Sequence, residues 1–160
     1  MRIREFEAHD LPSIRSCVEE LQEYERRLDP RLPPGNEIVD PYVELMFERC
    51  KKWNGAVFIA ETSGRVVGFI CICSKYRSEE PEEGPKEYGY VSDLVVTPSE
   101  RGKGCGRALL ERAETFAKMA GTLWLRVGVL ASNESARALY DAAGYRPYLE
   151  QLEKQLEVDE

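Results

Sequence analysis

Residues Arg2 to Glu7 set apolar Ile3 and Phe6 among charged side chains, an approximate alternation that reads as a strand. The period then changes. Ile14, Cys17, Val18 and Leu21 follow the i, i+3, i+4, i+7 spacing of a helix with one apolar stripe, and Asp10 ahead of them reads as its N-cap. Pro30, Pro33, Pro34 and Gly35 interrupt the pattern as a loop. Asp40-Pro41 reads as the start of a second helix, with aspartate as cap and proline at the first helical position. Its stripe is Val43, Met46, Phe47 and Cys50.

From Ala56 the strand period returns. Val57 to Ala60 and Val66 to Cys73 flank the tight turn Ser63-Gly64, which predicts a hairpin. An acidic loop, Ser78 to Glu87, leads to a long strand, Tyr88 to Val96, closed by Thr97-Pro98. A helix over Ala108 to Ala120 carries Leu109, Leu110, Ala113, Phe116 and Ala117 on one face and stops at Gly121. Thr122 to Leu130 reads as a strand. Ser132-Asn133 then caps a short helix with Ala136, Leu139, Tyr140 and Ala143 on one face, ended by Gly144, and Tyr145 to Leu156 holds a last strand. The order β-α-α-β-β-β-α-β-α-β predicts a mixed α/β fold, a meander followed by a βαβ crossover. No repeat, low-complexity tract or linker divides the chain, so residues 1–160 are expected to form one domain.

Composition narrows the function. No apolar run approaches the roughly 20 residues that span a bilayer, and the charged N-terminus lacks the apolar core of a signal peptide, so a cytoplasmic location is expected. Acidic residues outnumber basic ones 29 to 22, for a net charge of −7. That argues against nucleic acid as the main partner, because neutralising phosphates needs a basic surface, and it is compatible with a cationic substrate. Five cysteines are scattered along the chain. Cys71-Ile72-Cys73 lies inside an apolar strand without a second Cys or His pair, and the chain has one histidine, so no metal site is expected and the thiols read as reduced.

The chemistry concentrates at Arg101-Gly102-Lys103-Gly104-Cys105-Gly106-Arg107, between a strand and a helix start. Glycines let several backbone N–H groups point into one concavity, and the helix start adds unpaired N–H groups and the positive end of its dipole. Arg101, Lys103 and Arg107 add charge, so the loop suits a phosphorylated ligand. It is neither a Walker A loop nor the dinucleotide fingerprint G-x-G-x-x-G, because Arg107 and Leu109 occupy the closing positions of the two possible frames.

The pattern Arg101-x-x-Gly104-x-Gly106 after Leu94-Val95-Val96-Thr97-Pro98 resembles the cofactor strand and pyrophosphate loop of the GNAT superfamily of acyl-CoA-dependent N-acetyltransferases. Asn133, Ala136, Leu139-Tyr140 and Gly144-Tyr145, about 30 residues on, resemble its second signature. The resemblance covers most of the chain. It implies a single GNAT-like domain whose mixed central sheet has splayed core strands flanked by helices. It implies acetyl-CoA as co-substrate, held by the amides of Gly102, Lys103, Gly104, Cys105, Gly106 and Arg107. The pantetheine arm would lie like an added strand on the open backbone edge of Leu94, Val95 and Val96, with Asn133 touching it. It implies an amine acceptor, which is either a small molecule or a peptide, and a homodimer. The implied reaction is direct transfer of the acetyl group to a primary amine in a ternary complex. A non-catalytic acyl-CoA sensor and a transferase for protein N-termini or lysines fit the same motifs.

Individual residues carry paired readings. Tyr140 lies on an apolar helical stripe, which suits core packing, while the resemblance places it near the departing sulfur as a general acid. Asp93 is the one carboxylate within the long strand. By alternation it shares a face with Val91 and Val95, where a raised pKa would suit a base, and an ion pair with Arg126 is the alternative. Arg126 stands where some members of the superfamily carry a catalytic glutamate. Asn133 caps its helix in either case. Cys105, near a helix start, is placed for a lowered thiol pKa and a nucleophilic role, yet no base is visible for it. The acidic run Ser78 to Glu83, together with Glu19, Glu20, Glu23, Tyr24 and Glu25, could border the acceptor site and select a cationic amine.

Overall fold

A computed structural model describes residues 1–157. Five strands form one sheet in the order of the chain: β1 (Arg2–Glu5), β2 (Gly55–Thr62), β3 (Arg65–Arg77), β4 (Glu87–Val96) and β5 (Leu125–Val127). β1 to β4 pair antiparallel, and β5 joins β4 in parallel. A parallel step needs a crossover, and α3 (Cys105–Met119) supplies it.

Alternation along the strands divides the core into two layers. Val57, Ile59, Phe69, Cys71 and Val95 meet α1 (Leu11–Leu28) and α2 (Gly35–Lys52) through Ile14, Cys17, Val18, Val39, Val43 and Met46. Phe58, Ile70, Ile72 and Val91 face the other way, against Leu109, Leu110 and Ala113 of α3 and Tyr140 of α4 (Glu134–Ala142). The stripes expected from the sequence are thus the buried faces of α1, α3 and α4.

Four local expectations are corrected. α2 begins at Gly35, and Pro41 lies inside it. The Gly35 N–H donates to the Glu23 carboxylate at 2.7 Å, a partner from α1 that no local scan reveals. A Cβ at Gly35 would come within 2.7 Å of the Glu19 carbonyl oxygen, so only glycine lets the two helices approach this closely. Asp10 does not cap α1. Its carboxylate is gripped by both terminal nitrogens of Arg4, at 2.7 and 2.8 Å, and accepts from the Glu7 N–H at 2.8 Å. The strand expected over Thr122 to Leu130 shrinks to Leu125–Val127. No strand forms among the described residues after Tyr145, and Leu149, Leu152 and Leu156 are exposed. β5 keeps an open outer edge, but the segment does not pair with it; a ring contact between Tyr148 and Arg126 of β5 and an Arg31–Glu153 ion pair tether it instead.

β4 decides where the site lies. Cys71 pairs with Asp93, but the next residue of β3, Ile72, pairs with Val91, so Ser92 is an extra residue in β4. On its other side β4 pairs with β5 only from Gly89 to Val91. Beyond that point the two parallel strands part, and this is the splay the resemblance implies.

Candidate active site

The loop after β4 has the backbone that its glycines suggest. Gly102 and Gly104 adopt φ of +73° and +85°, the left-handed region, and a Cβ at either would meet nothing. The Arg101 N–H donates to Pro98, and the next N–H with a backbone partner is that of Ala108, which donates to Gly104. The amides of Gly102 through Arg107 therefore remain free at the N-terminus of α3, as an anion cradle requires. A diphosphate fits this stretch. Gly106 serves a different purpose: a Cβ there would lie 2.9 Å from Leu139, so its hydrogen lets α3 pack on α4.

The basic side chains are less free than their spacing implies. Arg107 donates to Glu111 at 2.9 Å and to the Ala142 carbonyl at 3.0 Å, and Lys103 pairs with Glu100 at 3.3 Å. Arg101 donates through Nε to the Val96 carbonyl at 3.0 Å, with its guanidinium 5.0 Å from the centre of the Tyr24 ring. Tyr24 in turn points its hydroxyl at Asn133 Oδ1, 3.5 Å away, and the same oxygen caps α4 by accepting from the Ala136 N–H at 3.1 Å. The backbone of α4 and the end of α1 are thereby tied to the loop.

Backbone alternation sorts the exposed strand edge. Thr97 donates to Val67, so by the two-residue period Val95 and Asp93 turn their backbone groups toward β3. Of the three residues expected on the open edge, Leu94 and Val96 face the splay and Val95 does not.

At the splay lies a cavity lined by Asp93 and Leu94 of β4, Val127, Tyr140, Glu25 of α1 and Tyr42 of α2, among others. Asp93 is buried, and desolvation pushes its carboxyl above the usual range. Hydrogen bonds from Tyr42 and Ser92 act in the opposite direction. The bulge at Ser92 corrects its expected setting: Asp93 shares the α1/α2 face with Val95, while Val91 points to α3. The proposed ion pair with Arg126 is absent. That guanidinium stacks on Tyr88 and Tyr148 and reaches Glu83 at 3.4 Å. Tyr140 is buried and its phenol is pushed up to about 12, chiefly by desolvation, with Asp93 and Glu25 adding to it. Cys105 is buried, and desolvation followed by the charge of Glu100 raises its thiol, contrary to the fall expected at a helix start.

Of the acidic residues thought to border an acceptor, only Glu25 lines this cavity. Glu23 is spent on Gly35 and Arg26, and Glu83 on Arg126. Tyr42, Ser92 and Gln22 were not anticipated. The one signal for Ser92 was a Ser-Asp pair inside an otherwise apolar strand; nothing in the sequence marks Tyr42 or Gln22 apart from their neighbours.

Residues 16–145 match the acetyltransferase (GNAT) family. An uncharacterized N-acetyltransferase of Bacillus subtilis, YhfO, is 27% identical over 145 residues, spanning 91% of this chain and 89% of its own. The thialysine N-epsilon-acetyltransferase of Bos taurus is 29% identical over 145 residues, spanning 89% and 82%. A mutant of the BH1408 protein from Bacillus halodurans shares the fold at a TM-score of 0.85 and 19% identity, covering 98% of this chain and 100% of that one. With the match running from α1 past α4 and the free amides standing at the start of α3, the chain belongs to the acetyltransferase (GNAT) family and is an N-acetyltransferase.

Proposed function

We propose that this chain transfers an acetyl group from acetyl-CoA to the primary amine of a small, cationic acceptor within one ternary complex. The observation that carries this reading is a continuous path. It runs from the free amides of Gly102 through Arg107, along the backbone groups of Leu94 and Val96, to a cavity holding Tyr140, Asp93 and Glu25. The loop amides grip the diphosphate of the co-substrate, and the open strand edge pairs with the amides of its pantetheine arm. Asn133 holds the α4 start against that arm. The Leu94 N–H, facing the splay, is placed to steady the carbonyl oxygen as charge develops on it. Most of the acceleration comes from holding two reactants in register.

Tyr140 stands where the sulfur leaves. With its pKa near 12 it stays protonated at neutral pH and hydrogen-bonds the departing thiolate, whose own pKa is about 8.5. Asp93 keeps the cavity negative and draws in an ammonium group. The acceptor class is supported by the carboxyl groups of Asp93 and Glu25 and by the name of the Bos taurus relative, a thialysine N-epsilon-acetyltransferase. The same reading carries a cytoplasmic setting, supported by five free thiols, and a homodimer.

The test follows free-thiol release from acetyl-CoA against thialysine, lysine, diamines, aminoglycosides and N-terminal peptides. Turnover with small amines supports the reading. Turnover with peptides alone replaces the acceptor class, and calorimetry showing no binding of coenzyme A overturns the reading altogether.

A further inference from the structure

An alkyl ammonium has a pKa of about 10.4, so at neutral pH an acceptor reaches the cavity with one proton too many to attack a carbonyl. Asp93 is poorly placed to take it. One carboxylate oxygen accepts from the Tyr42 hydroxyl and the other from Ser92 at 2.7 Å, so both already hold donors. Glu25 differs. It sits on α1 next to Gln22 and Leu21 and lines the same cavity, and its carboxylate has no hydrogen-bond or ion-pair partner among the described residues. The groups facing it are Asp93 from β4, Tyr42 from α2 and Tyr140 from α4. Val127, Gly128 and Val129 after the splay carry no charge, and the lining holds no lysine, arginine or histidine.

We propose that Glu25 is the general base of the transfer, a role that rests on the N-acetyltransferase reading of this cavity. An N–H bond of the ammonium breaks and its proton passes to a Glu25 carboxylate oxygen. The freed lone pair forms the C–N bond to the acetyl carbon while the C–S bond breaks. The second amine proton ends on the departing sulfur, and Glu25 returns its own to solvent, so amine and thioester become amide and thiol with one proton released. Desolvation and the neighbouring charge of Asp93 raise the Glu25 carboxyl, which brings it closer to the working pH of a base. Asp93, held by its two donors, supplies the field and positions Tyr42.

The full chain is assayed with acetyl-CoA and whichever amine of the panel turns over, comparing the wild type with Glu25→Gln, Glu25→Asp and Asp93→Asn across pH. Glu25→Gln should lower kcat about 100-fold at neutral pH and replace the wild type's acid limb with one displaced toward the amine's own pKa, so that activity recovers only as pH approaches that value. Glu25→Asp should keep the wild type's limb at reduced kcat, and Asp93→Asn should keep it but move it to lower pH, because the neighbouring charge that raises Glu25 is gone. Calorimetry with acetyl-CoA should give the same Kd for every variant, which also shows that each is folded. A wild-type pH profile in Glu25→Gln, with turnover intact, overturns the assignment and leaves the transferase reading standing. A wild type that releases no thiol with any amine overturns both.

Discussion

Tyr42 of α2 donates its hydroxyl to Asp93 of β4, a bond across 51 residues of chain in the wall of the cavity. Burial first, then the Asp93 charge, push the phenol well above its ordinary value. The carboxyl is raised by desolvation despite the bond. A raised carboxyl binds its proton more tightly in the folded state. Its contribution to stability is therefore present at low pH and lost as pH climbs from about 3.8 through the folded value. Asp93→Asn should flatten that loss, so the variant gains on the wild type in denaturant titrations as pH rises from 4 to 7. Parallel curves for the two proteins would contradict the raised value.

Arg4 and Asp10 impose the opposite slope. The Arg4 bonds hold the buried Asp10 carboxyl below its ordinary value, so their stabilisation is present above about 3.8 and lost as pH falls through the folded value. Asp10→Asn should cost about 3 kcal/mol at neutral pH, because it leaves a guanidinium without its main partner. The difference from the wild type should shrink in acid, as read by thermal or urea unfolding.

Tyr140→Phe removes one hydroxyl from the cavity and keeps the ring contact with Tyr145, whose centroid is 5.7 Å away. The expected result is a fall in kcat of about tenfold or more with acetyl-CoA affinity unchanged. Unchanged kcat would return Tyr140 to a packing role.

The two glycines of the loop should fail in different ways. Gly104→Ala places a side chain at φ +85°, costing about 1–2 kcal/mol, and turns the free amides out of line, so coenzyme A binding should weaken in calorimetry. Gly106→Ala keeps a helical backbone but presses a Cβ to 2.9 Å from Leu139. It should lower the melting temperature by separating α3 from α4. Equal effects of both variants on binding and on melting would contradict this division.

Much of the fold was legible because local periodicity is a local property. The stripes at Ile14 to Leu21 and Leu109 to Ala117 and the hairpin at Ser63-Gly64 needed only the side chains within two or three turns. The glycine loop was legible for the same reason, since Gly102 and Gly104 set their own backbone. The start of α2 and the role of Asp10 were not, because Glu23 and Arg4, the residues that satisfy them, lie elsewhere in the chain.

What the sequence by itself determined is therefore the strand and helix order as far as α4, the apolar faces and the glycine backbone at the start of α3. Tertiary structure alone decided which side chains share the cavity. A single extra residue at Ser92 reverses the facing of β4, so Asp93 turns to α1 and α2 while Val91 turns to α3. That reversal brings Asp93 to Tyr42, sets Glu25 across from it, and leaves Arg126 to Tyr88 and Glu83. Strand register and the parting of β4 from β5 arise from long-range pairing, which a local pattern of polar and apolar residues does not encode.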